Sequence, residues 1–135
     1  MSARILIVED EWVVAMELEM LLTDQGHSVV GIAADADAAR EIALTNQLDL
    51  ALVDIHLADG PTGMEVGREL ANEHGATVVY VTANPGLMRE GIAGTIGVLP
   101  KPTDEESILS VVEYALRRRL GDQNVSPPEA LRAFG

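Results

Sequence analysis

Leu50-Ala51-Leu52-Val53-Asp54 decides the fold: four consecutive apolar side chains end in a carboxylate, and Ile55-His56-Leu57 and a turn rich in glycine and proline follow. A run that is apolar on both faces predicts a short, fully buried parallel strand. In open α/β sheets the chemistry sits at the carboxyl ends of such strands. Asp54 stands at that end and is the candidate nucleophilic carboxylate.

Working outward, the same pattern repeats. Arg4-Ile5-Leu6-Ile7-Val8 is a second apolar run, closed by Glu9 and Asp10, and Thr77-Val78-Val79-Tyr80-Val81 is a third, closed by Thr82. Ser28 to Ala34 and Thr95 to Leu99 also read as strands, the latter followed by Pro100-Lys101-Pro102. Between them lie helical periods. Glu11 to Gln25 places Val14, Leu18, Leu21 and Leu22 inward and Glu11, Glu17 and Glu19 toward water, and Gly26 stops it. Asp35 or Asp37 caps a helix running to about Asn46, with Ala39, Ile42 and Ala43 inward. Gly63 to His74 buries Met64, Val66 and Leu70, and Gly75 ends it. Asn84 to Ala93 is weakly helical, because each interior glycine costs about 1 kcal/mol relative to alanine, and a short, mobile helix is expected there. Thr103 with Glu106 forms a capping box opening a helix to about Leu120.

The order βαβαβαβαβα, with right-handed crossovers, predicts one α/β domain over residues 1–120, a parallel sheet with helices on both faces. Residues 121–135 contain Pro127-Pro128 and little to bury except Leu131 and Phe134, so a loose, flexible tail with at most a short helix is expected.

Composition narrows the function. At 135 residues the chain has room for one core, and 47% apolar residues with one Trp, two Tyr and one Phe suggest an aliphatic one. A formal charge of −13 argues against nucleic acid and anionic membrane as partners, because both attract cationic surfaces. The absence of cysteine excludes thiolate metal sites and thiol catalysis. The opening apolar run is broken at once by Glu9-Asp10-Glu11, and nothing later approaches roughly 18 unbroken apolar residues, so a soluble cytoplasmic protein is expected.

All strand carboxyl ends of a parallel sheet share one edge, which gathers Glu9, Asp10, Asp54, Thr82 and Lys101. Carboxylates about 5 Å apart repel by about 3 kcal/mol per pair at an effective dielectric near 20, which a divalent cation between them relieves. Mg²⁺ suits hard oxygen ligands. These positions resemble the active site of bacterial two-component response-regulator receiver domains. The likeness runs over about residues 3–120 and rests on Val8-Glu9-Asp10-Glu11, Val53-Asp54, Val81-Thr82-Ala83 and Lys101-Pro102, each closing a strand in order.

The resemblance implies a flavodoxin-like doubly wound (βα)5 sheet of five strands in the order 2-1-3-4-5. It implies that Asp54 accepts a phosphoryl group from a phosphohistidine on a sensor histidine kinase or histidine phosphotransfer protein. Asp10 would bind Mg²⁺ directly, Glu9 would support it through water, and Asp54 and the His56 carbonyl would complete the ligands. Thr82 and Lys101 would each hold a phosphoryl oxygen, and the Lys101-Pro102 bond is expected to be cis. Such a domain is a signalling phospho-acceptor rather than an enzyme. It acts through contacts with a downstream protein target not legible in the sequence, or as a phosphate sink or relay intermediate, and homodimerisation is compatible with it.

Three departures stand out. Val98 occupies the position where the family often has an aromatic. The 19 positions from Thr82 to Lys101 are a shorter, glycine-rich interval than usual. Ala58 replaces the usual proline, so Ala58 to Gly63 reads as a rearranged loop. Output is therefore expected from this loop and from Asn84 to Gly94. An alternative from another class is a small phosphatase using Asp35-Ala36-Asp37 as an Asp-x-Asp nucleophile, against which stands the plainer reading of a helix cap. His27, His56 and His74 share no ligand spacing, and Arg117-Arg118-Arg119 complements a helix C-terminus.

Overall fold

The computed structural model describes residues 2–83 and 95–134. Along them run β1 (Arg4–Val8), α1 (Trp12–Asp24), β2 (Ser28–Ala33), α2 (Ala36–Thr45), β3 (Leu50–Val53), α3 (Gly63–His74), β4 (Thr77–Thr82), β5 (Thr95–Pro100), α4 (Glu105–Arg119) and β6 (Arg132–Ala133). The strands lie in the order β2-β1-β3-β4-β5-β6, and every neighbouring pair from β2 to β5 is parallel. This is the flavodoxin-like doubly wound sheet, with one strand more than expected. The helix anticipated over Asn84 to Ala93 lies outside the described residues. Among the described residues no helix is long and apolar enough to cross a membrane.

The strands are apolar throughout because both sheet faces are covered. Successive side chains alternate between faces. Leu6 and Val8 of β1, Ala51 and Val53 of β3, and Val78 and Tyr80 of β4 pack on one side with Ala39 and Ala43 of α2 and Val66 and Leu70 of α3. Ile5 and Ile7, Leu50 and Leu52, and Val79 and Val81 pack on the other with Ala15, Leu18 and Leu22 of α1 and Ile108, Val111, Val112 and Ala115 of α4. All four residues of β3, the central strand, are buried.

The helix ends follow local chemistry. Asp35 caps α2, its side chain accepting the Ala38 N–H at 2.8 Å. The residue that caps α4 is Asp104, accepting the Ser107 N–H at 2.7 Å, not Thr103 as expected. Starting one residue later puts both Glu105 and Glu106 in the first turn, where the helix dipole favours acids. Gly75 closes α3 with φ 68°, a left-handed conformation that favours glycine.

Glu11 and Glu17 face water as expected, but the outer face of α1 also exposes Trp12, Val13, Met16 and Met20 at helical spacing. One further expectation is corrected. The tail does not form a helix at Leu131 and Phe134. Arg132 and Ala133 pair antiparallel with Val98 and Gly97, the Phe134 N–H donates to the Ile96 carbonyl at 2.8 Å, and Leu131 is buried. A side chain at Gly97 would stand 2.5 Å from the Arg132 carbonyl oxygen, so the bare backbone there lets the tail close on β5.

Replacing Asp35 with alanine removes the α2 cap. The variant is expected to lose about 1 kcal/mol of stability in urea unfolding with an unchanged m-value.

Candidate functional site at the carboxyl edge of the sheet

The hydrogen-bond ladders continue one residue past the strands, and this places the site. The Asp54 N–H donates to the Val8 carbonyl at 2.9 Å, the Glu9 N–H to the Ala33 carbonyl at 2.8 Å, and the Lys101 N–H to the Thr82 carbonyl at 2.8 Å. Three side chains from distant parts of the chain are thus set by backbone bonds rather than by loops. The Lys101-Pro102 peptide is cis, as the resemblance implied.

All five positions singled out from the sequence meet here. The Lys101 ammonium lies 2.6 Å from Glu9 Oε1 and 2.9 Å from Asp54 Oδ2. Asp54 Oδ1 accepts the His56 N–H at 3.3 Å, and Glu9 Oε2 accepts the Glu11 N–H at 3.1 Å. Glu9, Asp54 and Thr82 are all buried, whereas Asp10 is exposed. A cavity of about 210 Å³ opens beside them, lined by Asp10, Asp54, His56, Thr82 and Lys101. At about 30 Å³ per water, that is room for an ion, its waters and a phosphoryl group. Glu11 and Ala83 line it too. Sequence reasoning placed Glu11 on a solvated helix face, yet its carboxylate stands 4.0 Å from the Lys101 ammonium. Its direct succession to the acid pair was the signal available.

Electrostatics follow from the burial. Burial raises the Glu9 carboxyl above its usual range, and the hydrogen bond from Lys101 offsets this only in part. Burial also acts to lower the Lys101 ammonium, but the hydrogen bonds to Glu9 and then Asp54 outweigh it, and the net shift is upward. Lys101 is therefore a cation throughout the neutral range. Its contribution to stability is complete below its unfolded value of 10.5 and is lost only as pH rises through the higher folded value. Glu9 has the opposite sign: its ionisation costs stability above the folded value and costs nothing below 4.5.

Glu9, Asp10 and Asp54 each offer a carboxylate oxygen, all within 4.8 Å of one another. A donor set of hard oxygens without nitrogen or sulfur fits Mg²⁺ rather than zinc or copper. His27 and His74 lie away from the site and do other work: His27 Nδ1 accepts the Ala3 N–H at 3.1 Å, and His74 closes the last turn of α3. Asp35 is committed to its cap, and Asp37 is an exposed partner of Arg40 at 3.1 Å, so the Asp-x-Asp pair is a helix start and not a second site. Arg117 pairs with Asp122 at 3.2 Å, and Arg119 donates to the Gly75 carbonyl at 2.7 Å, tying α4 to the entry of β4 instead of capping its own helix.

The response regulator receiver domain family matches residues 5–113. The chain is 35% identical over 118 residues to the phyllosphere-induced regulator PhyR of Methylorubrum extorquens, covering 86% of this chain and 44% of that protein. The response regulator PhyR from Brucella abortus superposes with a TM-score of 0.81 at 28% identity, over 91% of this chain and 51% of that one. The receiver domain of Erythrobacter litoralis PhyR gives 0.74 at 29% identity, over 94% and 96%. The chain therefore spans about half the length of the full-length regulators it matches.

Replacing Lys101 with alanine leaves Glu9 and Asp54 facing each other uncompensated. A loss of about 3 kcal/mol is expected in urea unfolding at pH 7 without divalent cation, narrowing as the pH falls and the Glu9 carboxyl, raised by burial, protonates.

Proposed function

The chain belongs to the response regulator receiver domain family, and on that premise we propose that Asp54 accepts a phosphoryl group from a phosphohistidine on a partner protein in a Mg²⁺-dependent reaction. The observation that carries this reading is the Lys101 ammonium held between Asp54 and Glu9, beside the exposed Asp10 carboxylate and at the wall of an open cavity. The regulators this chain resembles are signalling proteins, and the phosphorylated domain signals through protein contacts.

Each residue has a part set by its surroundings. An Asp54 carboxylate oxygen forms the new O–P bond as the P–N bond to the donor imidazole breaks, the electron pair returning to the ring nitrogen. The His56 N–H on Oδ1 and Lys101 on Oδ2 hold the carboxylate plane in place. Lys101 is already aimed at Asp54 and pairs with an oxygen of the transferred group, and the Thr82 hydroxyl at the end of β4 donates to another. Asp10, Asp54 and the His56 carbonyl would hold Mg²⁺. Both oxygens of Glu9 are engaged, by Lys101 and by the Glu11 N–H, which favours a supporting role through water. The cation, when bound, supplies charge neutralisation on the phosphoryl oxygens.

The donor docks over α1. Trp12, Val13, Met16 and Met20 form an exposed apolar stripe that begins two residues past Asp10, with Glu17 and Glu19 beside it and no basic residue on the helix. A donor helix with an apolar face flanked by Lys or Arg complements it.

Incubation with acetyl phosphate and Mg²⁺ is expected to give an acid-stable, base-labile acyl phosphate on Asp54, seen as one added phosphoryl group by mass spectrometry. Asp54→Asn abolishes it and Asp35→Asn does not; label persisting in Asp54→Asn would remove the basis of this reading. Met16→Glu is expected to slow transfer from a phosphohistidine donor about tenfold, the effect of a hot-spot contact of roughly 1.4 kcal/mol, while leaving the acetyl phosphate reaction unchanged.

A further inference from the structure

Tyr80 is the bulkiest of the fully buried side chains, and it sits on β4 two residues before Thr82. It points to the α2/α3 side of the sheet, opposite Val98 in the pairing with β5 and in the same core. Its hydroxyl is not idle there. It donates to the carbonyl oxygen of Met64, the second residue of α3, at 2.9 Å. Burial raises the phenol well above its ordinary value, so the group stays a donor at any physiological pH.

The ring reaches this carbonyl because α3 is bare where it passes. A Cβ at Gly67 would overlap the Tyr80 hydroxyl and stand 2.6 Å from Cε1. One residue before Met64 the helix is fastened again. Gly63 packs so closely on the Asp54 carbonyl that any side chain would collide with it, and the Gly63 N–H donates to the Ile55 carbonyl at 2.9 Å. The first turn of α3 is therefore clamped from two directions, by the backbone that carries Asp54 and by the strand that ends in Thr82. A buried hydroxyl at the junction of two such elements, its donor group fully committed, restricts how they move relative to each other.

We propose that Tyr80 is a positioning residue for the phospho-acceptor: its hydroxyl pins Met64, and through the first turn of α3 it fixes the Asp54–Gly63 loop to the end of β4. The clamp itself is a property of the fold. Its effect on reaction rate rests on the reading of Asp54 given above.

Tyr80→Phe removes only the oxygen. In the full chain, amide exchange is expected to quicken in residues 55–66 and at the end of β4 and to stay unchanged on the α1/α4 face. With acetyl phosphate at saturating Mg²⁺, the maximal phosphorylation rate is expected to fall about fivefold with the half-saturating acetyl phosphate concentration unchanged, the signature of lost positioning rather than lost binding. Val111→Ala, in the core on the opposite face, controls for stability: it should lower Tm at least as much and leave the rate alone. Wild-type exchange in the 55–66 segment of Tyr80→Phe overturns the clamp, and an equal slowing by Val111→Ala overturns its positioning role. Failure of the wild-type chain to form an acyl phosphate overturns instead the reading of Asp54, which the exchange comparison does not use.

Discussion

One ammonium group organises the carboxyl edge of this sheet. Lys101 follows β5, Glu9 follows β1 and Asp54 follows β3, and the cation bonds to both carboxylates. Without it two largely buried acids would face each other at short range, a cost that hydrophobic packing elsewhere would have to offset. With it, three strands are joined at their ends by charge as well as by backbone ladders. The same contact pre-aims the cation at the atom that would carry a phosphoryl group, so one interaction serves the fold and the site together.

The burial asymmetry within the acid pair has a functional counterpart. Glu9 is nearly sealed, with both oxygens bonded, while its neighbour Asp10 faces water. Two carboxylates adjacent in sequence thus have different surroundings. The inner one fixes Lys101, and the outer one faces solvent. Under the proposed reading the outer one would be the ligand for an exchanging metal, and the inner one would keep the lysine in place.

Much of this was legible in the sequence, and the reasons are physical. Strands buried on both faces leave continuous apolar runs, and a parallel sheet sends all their ends to one edge, so Glu9, Asp10, Asp54, Thr82 and Lys101 could be grouped before any coordinate was known. What escaped was non-local or one-sided. The pairing of Arg132 and Ala133 with β5 involves two residues with no periodicity to read, and it depends on Gly97 leaving room for it. The apolar stripe on α1 was hidden because Ala15, Leu18 and Leu22 already account for a buried face, and a helix apolar on two sides blurs the contrast that marks one inward. Tyr80 was simply one member of a β-branched and aromatic run. Its partner, Met64, lies on another element, and nothing local to Gly67 marks the space it leaves for the ring. Asp104 displaced Thr103 as the cap, in keeping with the higher rank of aspartate at that position, whereas the Thr103–Glu106 spacing had pointed one residue earlier.

The tail strand changes what the sheet offers to other chains. Gly97 and Val98 of β5 already have a partner in residues 132 and 133, and Ile96 is bonded to Phe134. An incoming strand cannot add to the middle of this flank without first peeling away a segment anchored by the buried Leu131. The flank beside Lys101 is thereby guarded against intermolecular sheet growth, the hazard of any exposed strand border, while the opposite flank at β2 has no such cover among the described residues.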